Sequence, residues 1–433
     1  MTVWAVDGAA GYGKTHCLIE MMSKAQIAAP LQPGQRILAV TYMRGSRLRL
    51  DARLRQLPEL RGRYTCTTVD SMVLRLRDRW RTLGRELGLP ALRRYEGKIA
   101  FDDECERAGM LLEQEGVGKW LAASFPIVLL DEGQDLVPAR LRIFQALAKW
   151  LSLYVALDDF QCLNPEFRPS PLAQWLPSVC TVETMASPQR TDVAALLEAS
   201  WAIRNGQSPK SGVDFLIQPT PQAPLAAAWL AGQIARHPKG SIAILTPSAK
   251  GQGAFARQVV TIVSTKPCGA GKKLGPYPIR WEFSEGAEAD DLVTALTLQD
   301  SSSIAEAIAA VAALPGHTGA LKQTISWIRR QADIRGLSTL ARSEVEACLR
   351  RQLRNVRTVS GSSTRLVAMN VHQAKNREFA GVVVIWPHAV GGDDEAKRRL
   401  LYNAITRARR WCTVLVQDAK MLRSAPFAPT TVL

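Results

Sequence analysis

The apolar positions of the chain fall into two rhythms. Short runs of β-branched and other apolar residues recur at 3–7, 36–42, 65–69, 126–131, 153–157, 241–245, 365–370, 380–386 and 411–416, each of strand length and bounded by polar or turn-forming residues. Between them lie longer stretches with apolar residues three and four apart, the spacing of amphipathic helices. This alternation predicts an α/β fold with helices layered on parallel sheets. Two blocks interrupt it: 70–123 and 288–356 read as helical, the second through segments such as IAEAIAAVAAL and LKQTISWIRR. They read as insertions into two α/β domains. NGQSPKSG at 205–212, followed by QPTPQAP at 218–224, is the best linker between those domains, being polar and rich in residues that interrupt regular structure. The expected organisation is a first domain over 1–204 with an insert at about 70–123, and a second over 205–433 with an insert at about 265–360.

Composition narrows the class. With 433 residues, 47% hydrophobic and 22% charged, the chain is long enough for two or three cores and unlike a disordered or fibrous protein. It holds no run of about 18 apolar residues, and its start lacks the basic, apolar and small-residue order of a secretion signal. A soluble, cytoplasmic protein without a membrane partner is expected. The eight cysteines are scattered singly, with no CxxC pair and no His at ligand spacing, which argues against a disulfide framework, a zinc site or an iron–sulfur cluster. The net charge of +16 points to a polyanionic partner, and residues 40–100, with 15 Lys/Arg against 6 Asp/Glu, carry +9 of it. A second arginine-rich stretch spans 329–357.

Candidate chemistry begins at Gly8-Ala-Ala-Gly11-Tyr-Gly13-Lys14-Thr15, which fits GxxxxGK[ST] between the strand VWAVD and a helical THCLIEMMSK. Glycines let backbone amides wrap phosphates, the helix N-terminus adds positive potential, Lys14 reaches the β and γ phosphates, and Thr15 can ligate magnesium. This is a nucleotide site of the P-loop kind. Ile127-Val-Leu-Leu-Asp131-Glu132-Gly-Gln134-Asp135 is an apolar strand ending in carboxylates, where ligands gather in open α/β sheets. Asp131 is suited to the metal, and Glu132 to polarising the attacking water.

With these two motifs the chain resembles the superfamily 1 helicases of the UvrD/Rep type, whose second motif is similar to DExQD. The resemblance continues in the family's order. Thr41-Tyr42 is similar to motif Ia, Thr68-Val69-Asp70-Ser71 to motif Ib, and Leu157-Asp158-Asp159-Phe160-Gln161 to motif III. Ser187-Pro-Gln-Arg190 is similar to motif IV, His372-Gln-Ala-Lys375-Asn-Arg-Glu378-Phe379 to motif V, and Tyr402-Asn-Ala-Ile-Thr406-Arg407-Ala408-Arg409 to motif VI. It spans residues 8 to 409 and implies two RecA-like P-loop NTPase domains with parallel sheets, ATP and Mg2+ between them, and a small helical insert on each.

The resemblance also implies roles. Gln161 senses the γ-phosphate, while Arg190 and Arg407 reach it from opposite sides, Arg407 as an arginine finger. Glu378 contacts the nucleotide sugar, and His372 and Lys375 lie near the nucleic-acid track. Tyr42 stacks a base, Thr41, Thr68, Asp70 and Ser71 meet the nucleic-acid backbone, and Arg44 and Arg47 neutralise phosphates nearby.

Four departures from the family stand out. Only six residues besides Asp7 precede Gly8, so the glutamine segment that grips adenine is expected to be missing, and Gln189 replaces the base-stacking aromatic of motif IV. Relaxed nucleotide preference is the expectation. Cys162, Leu163 and Asn164 stand in place of a Tyr-x-Trp cluster, and Asn376 in place of a motif V glycine. The functional readings are an ATP-dependent translocase or helicase on single-stranded DNA, with 3′ to 5′ polarity implied by the resemblance; a motor or nucleotide-sensing subunit of a nuclease-containing repair or anti-phage defence complex; and a non-catalytic nucleic-acid-binding scaffold. RNA is a second candidate ligand, because stacking and backbone contacts serve it too.

Overall fold

A computed structural model of the protein describes residues 2–89, 94–95, 98–99, 101–186, 188, 193–247, 254–269, 271, 273–282, 292–315, 318–359 and 365–429. Two six-stranded sheets, parallel throughout, organise it. The first contains β1 (Val3–Asp7), β2 (Ile37–Thr41), β3 (Tyr64–Thr68), β4 (Ile127–Asp131), β5 (Ser152–Leu157) and β6 (Val182–Thr184), in the order β3-β2-β4-β5-β1-β6. The second contains β7 (Phe215–Pro219), β8 (Ile242–Thr246), β9 (Arg280–Trp281), β10 (Leu366–Asn370), β11 (Phe379–Trp386) and β12 (Ala408–Val416), in the order β9-β10-β8-β11-β12-β7. Flanking helices complete an α/β arrangement consistent with two RecA-like domains.

Central strands such as ILAVT and IVLLD are buried at every position, as expected where helices cover both faces. One face of the first sheet packs through Leu38, Val40, Val128 and Leu130 against Val73, Leu76, Ala108, Leu112 and Phe144. Thus the helices of the block 70–123, among them Val69–Arg79 and Phe101–Glu113, are part of the first sheet's own core. Its other face packs on the helix Lys14–Ala28 through Leu18, Ile19 and Met22. The second sheet is likewise covered on both faces.

Helix Ala194–Arg204 contributes Leu196, Ala199 and Ile203 to the second sheet's core, so the chain joins that layer ahead of residue 205. The segment 218–224, read from sequence as linker, opens with the last residues of β7. Arg280–Trp281 pairs with β10, and among the described residues a separate helical core runs from Leu292 to Leu353. In that core, helix Ile304–Ala312 begins with a reciprocal cap between Ser303 and Glu306.

All eight cysteines are free thiols. Among the described residues no helix is long and apolar enough to cross a membrane.

Candidate nucleotide cleft and nucleic-acid track

The phosphate loop springs from the end of β1. Gly8 donates its N–H to Leu157 O at 3.3 Å, which sets the loop over the ends of β1 and β5. Gly11 and Gly13 both have φ of +87°, the left-handed region open to glycine at no steric cost, and helix Lys14–Ala28 starts directly after. Lys14 is only 8% exposed; its Nζ donates to Gly8 O at 2.8 Å and Ala9 O at 3.1 Å, and sits 3.8 Å from Asp158 Oδ2. The lysine therefore holds the loop wrapped around its own ammonium, the place a phosphate takes in this kind of site.

At the end of β4, Thr15 Oγ1 donates to Asp131 Oδ2 at 3.0 Å. Burial first, and the neighbouring Glu132 second, push the Asp131 carboxyl up to about 6. Burial alone would raise Glu132 as well, but Lys14, the Gln134 amide, Arg49 and Arg407 outweigh it and hold that carboxylate below its usual range. A buried and an adjacent half-buried carboxylate beside a threonine hydroxyl form a donor set that fits a hard divalent cation. Among the described residues no three His, Cys, Asp or Glu gather into a closed metal cage. Glu132 itself has φ of +60°, and its Oε2 accepts from Gln134 Nε2 at 2.7 Å.

Asp158, wholly buried, is the hub between the two sheets. Its carboxylate accepts from Gln161 Nε2 at 2.7 Å, Arg204 Nη1 at 2.7 Å and Tyr402 Oη at 2.9 Å. Burial would raise it, but Lys14, Arg204, Gln161 and Tyr402 together keep it ionised at lower pH than an ordinary aspartate. Gln161 Oε1 in turn accepts from Arg407 Nη2 at 3.1 Å. Arg407 is 3% exposed and also donates from Nε to Asn403 O at 3.0 Å. Four second-sheet side chains thus clasp the ends of β1 and β5: Arg204, Tyr402 and Arg407, with Arg399 bonded to the backbone oxygens of Asp159 and Cys162.

Other expected residues lie around this cleft. Lys375 pairs with Asp135 across the two sheets. Glu378 Oε2 accepts from Arg409 Nε at 2.9 Å and Nη2 at 2.7 Å, and Glu378 Oε1 lies 3.8 Å from Arg49. Asn376 takes φ of +64°, the conformation its replacement of glycine anticipates, and donates to Met43 Sδ at 3.2 Å. Ser187, Gln189 and Arg190 of the expected motif IV lie outside the described residues, as does the side chain of Arg44.

The first-sheet track residues share the same row of strand ends, because Thr41 is in register with both Thr68 and Asp131. Thr41 and Thr68 are buried; Thr41 donates to Met43 O at 3.1 Å, while Thr68 caps helix Val69–Arg79 by accepting from Ser71 N at 3.3 Å. Tyr42 is half-buried, with the Arg140 guanidinium 5.4 Å from its ring centre. Arg140 is pinned by Asp70 at 3.1 Å and by Asp102. Ser71 and His372 are exposed, and Arg47 half-buried.

Sequence reasoning did not assign Arg204, Arg140, Asp158 or Tyr402 individual roles. The last two stand inside quoted motifs, and for Asp158 an acid at a strand end was the available signal; Arg204 and Arg140 carry none beyond being basic residues on helical stretches.

Residues 365–415 match the UvrD-like helicase C-terminal domain, and this match supports the superfamily 1 resemblance. They cover β10, β11, helix Asp394–Ile405 and nearly all of β12, the elements bearing Glu378, Tyr402 and Arg407. No curated protein matches the chain. Among solved structures the chain is similar to the arterivirus nonstructural protein 10 helicase, with a TM-score of 0.41 and 11% identity over 98% of this chain and 62% of that one. For the complex of that helicase with DNA the TM-score is 0.40, with 11% identity over 98% of this chain and 63% of the other. The chain thus spans a little over three fifths of the length of that helicase.

Proposed function

We propose, on the premise that residues 365–415 carry a UvrD-like helicase C-terminal domain, that the protein is an ATP-dependent translocase or helicase on single-stranded DNA. The observation that carries this reading is the clasp at the end of helix Asp394–Ile405, where Tyr402 and Arg407 of the second sheet bond directly to the P-loop, Asp158 and Gln161 of the first. A nucleotide bound there touches both sheets at once, so its γ-phosphate can govern how they fit together.

The proposed roles follow from the positions of the side chains. Lys14 exchanges the carbonyls of Gly8 and Ala9 for the β and γ phosphates. Glu132, kept ionised by Lys14 and Arg407, accepts a proton from the attacking water. Arg407 brings a fixed fork of donors to the γ-phosphoryl oxygens, where charge spreads in the transition state. Gln161, bonded to both Arg407 and Asp158, couples that contact to the strand ends. Thr15 and Asp131 would hold Mg2+, which when bound neutralises phosphate charge. Loss of the γ-phosphate releases Arg407, and the basic surface around Tyr42, Arg44 and Arg47 shifts against that around His372 and Lys375. We propose DNA movement from 3′ to 5′ on the likeness of DExQD and HxxKxxEF, and a division into two domains ahead of residue 194, because helix Ala194–Arg204 packs on the second sheet.

The test is ATP hydrolysis with and without single-stranded DNA, titrated with salt, beside Lys14→Ala and Arg407→Ala. Strong stimulation that falls with salt and is lost in both variants is expected. Hydrolysis indifferent to DNA overturns the reading. Tailed duplexes then test polarity.

A further inference from the structure

Tyr402 sits on helix Asp394–Ile405, is 1% exposed, and packs its ring edge-on against Phe160, with centroids 5.1 Å apart. Its hydroxyl accepts from the backbone N–H of Ala10 at 2.8 Å and donates to Asp158 Oδ2 at 2.9 Å. Ala10 belongs to the phosphate loop, two residues after its first glycine and 392 residues from Tyr402 in sequence. Among the described residues no other second-sheet side chain bonds to the backbone of that loop. A phenylalanine would fill the same space against Phe160. What the hydroxyl adds is two directed bonds, one to the loop that wraps phosphate and one to the buried carboxylate that also holds Gln161 and Arg204.

We infer that the Tyr402 hydroxyl is a positioning group that reports phosphate occupancy of the P-loop to helix Asp394–Ile405, and so to Arg407, through Ala10 and Asp158. This rests on the nucleotide site proposed above and deepens it. When phosphates displace Lys14 from Gly8 and Ala9, the loop between Gly8 and Gly11 shifts and the Ala10 N–H shifts with it. The packed ring of Tyr402 leaves no slack, so the helix follows, and Arg407 stands on the same chain just past the helix end. Gln161 offers a second route to Arg407, but it acts on the guanidinium itself and not on the helix.

The experiment is amide hydrogen exchange of the full chain with and without a non-hydrolysable ATP analogue and Mg2+, beside steady-state hydrolysis. In the wild type the analogue is expected to slow exchange over both 8–18 and 394–407. In Tyr402→Phe it should still protect 8–18, with the analogue's Kd changed less than about threefold, while protection of 394–407 is lost. Hydrolysis should fall about tenfold in kcat with KM changed little, the split expected when a contact matters after binding. Phe160→Leu, which keeps the hydroxyl but gives the ring slack, should leave protection of 8–18 intact and weaken that of 394–407 without abolishing it.

Equal protection of 394–407 in wild type and Tyr402→Phe overturns the inference, as does its absence in the wild type. If Tyr402→Phe does not fold, Asp158→Asn takes its place: it leaves the hydroxyl on Ala10 and removes the charge behind it, and should at least halve the protection. Full protection there also overturns the inference. The exchange readout uses nucleotide alone, so wild-type hydrolysis that ignores DNA would sink the motor reading and leave this one decided on its own data.

Discussion

Around the P-loop, Lys14, Asp131, Asp158, Gln161, Tyr402 and Arg407 are all buried, and each bonds to another residue of the cleft. Further along the first sheet's strand ends, Tyr42 and Asp70 are half-buried and Ser71 exposed, with Arg140 against the first two, and His372, just past β10 of the second sheet, is exposed as well. The cleft is wired across two sheets, whereas the track is a local surface. In a buried network, removal of one member leaves another unpaired and desolvated. On a half-exposed surface, water replaces the lost partner. Damage should therefore be steep and non-additive in the cleft, and modest and additive on the track.

The largest effect is expected for Arg407→Ala, which should lower the turnover of ATP by roughly 10³-fold or more, as for other arginine fingers. A rate within tenfold of wild type would show that the fork does not reach the γ-phosphate. Next, Asp158→Ala removes the buried carboxylate shared by Arg204 and Lys14 and leaves Arg204 only its longer contact with Asp7, and should cost about 3–5 kcal/mol in denaturant unfolding. A loss below about 1 kcal/mol would mean the clasp is looser than the bonds suggest.

The Asp131 carboxyl tests the electrostatics. Its folded value of about 6 lies above its ordinary 3.8, so the fold disfavours the ionised form. That cost is present above about pH 6 and fades as pH falls towards 3.8. Asp131→Asn should therefore stabilise the metal-free protein by about 3 kcal/mol at pH 8 and change little at pH 4, while abolishing hydrolysis. The same stabilisation at both pH values would refute the assignment.

On the track, Tyr42→Ala should weaken single-stranded DNA binding by about 1–3 kcal/mol across sequences and leave DNA-free hydrolysis unchanged. A change in DNA-free hydrolysis would erase the contrast between the two regions. The smallest effect is expected at the rim, where Arg168 and Asp393 pair at 2.7 Å with Asp393 largely exposed. Arg168→Ala should cost under about 1 kcal/mol, and a larger loss in thermal unfolding would show that this pair helps clamp the sheets.

Much of this was legible in advance, and the rest was hidden for physical reasons. Central strands such as Ile127–Asp131 announce themselves because both faces are buried and every position before the terminal aspartate is apolar. The strands of the two large sheets that the pattern misses, Phe215–Pro219, Val182–Thr184 and Arg280–Trp281, all lie at sheet edges, where short, partly polar segments and even Pro219 are tolerated. The phosphate loop and the acidic strand end are contiguous motifs, so their residues could be named. Arg204 could not, because its meaning lies in Asp158, 46 residues away, and in Asp7, 197 away. Neither spacing leaves a periodic trace. Tyr42 was recognisable as an aromatic at a strand end, but the guanidinium over its face comes from Arg140, on a helix with no signal of its own.

Glu132 carries the water-activating role proposed here while its backbone sits at φ +60° and ψ +43°, a region costly for a residue with a Cβ. Glycine or asparagine would rest there more easily. Selection for thermal tolerance alone would therefore drift towards replacing this glutamate and would harvest sturdy, inert proteins. If Glu132 activates water as proposed, a glutamate at this turn is kept for turnover at a cost in stability, and laboratory evolution of the chain will need to screen for both properties together.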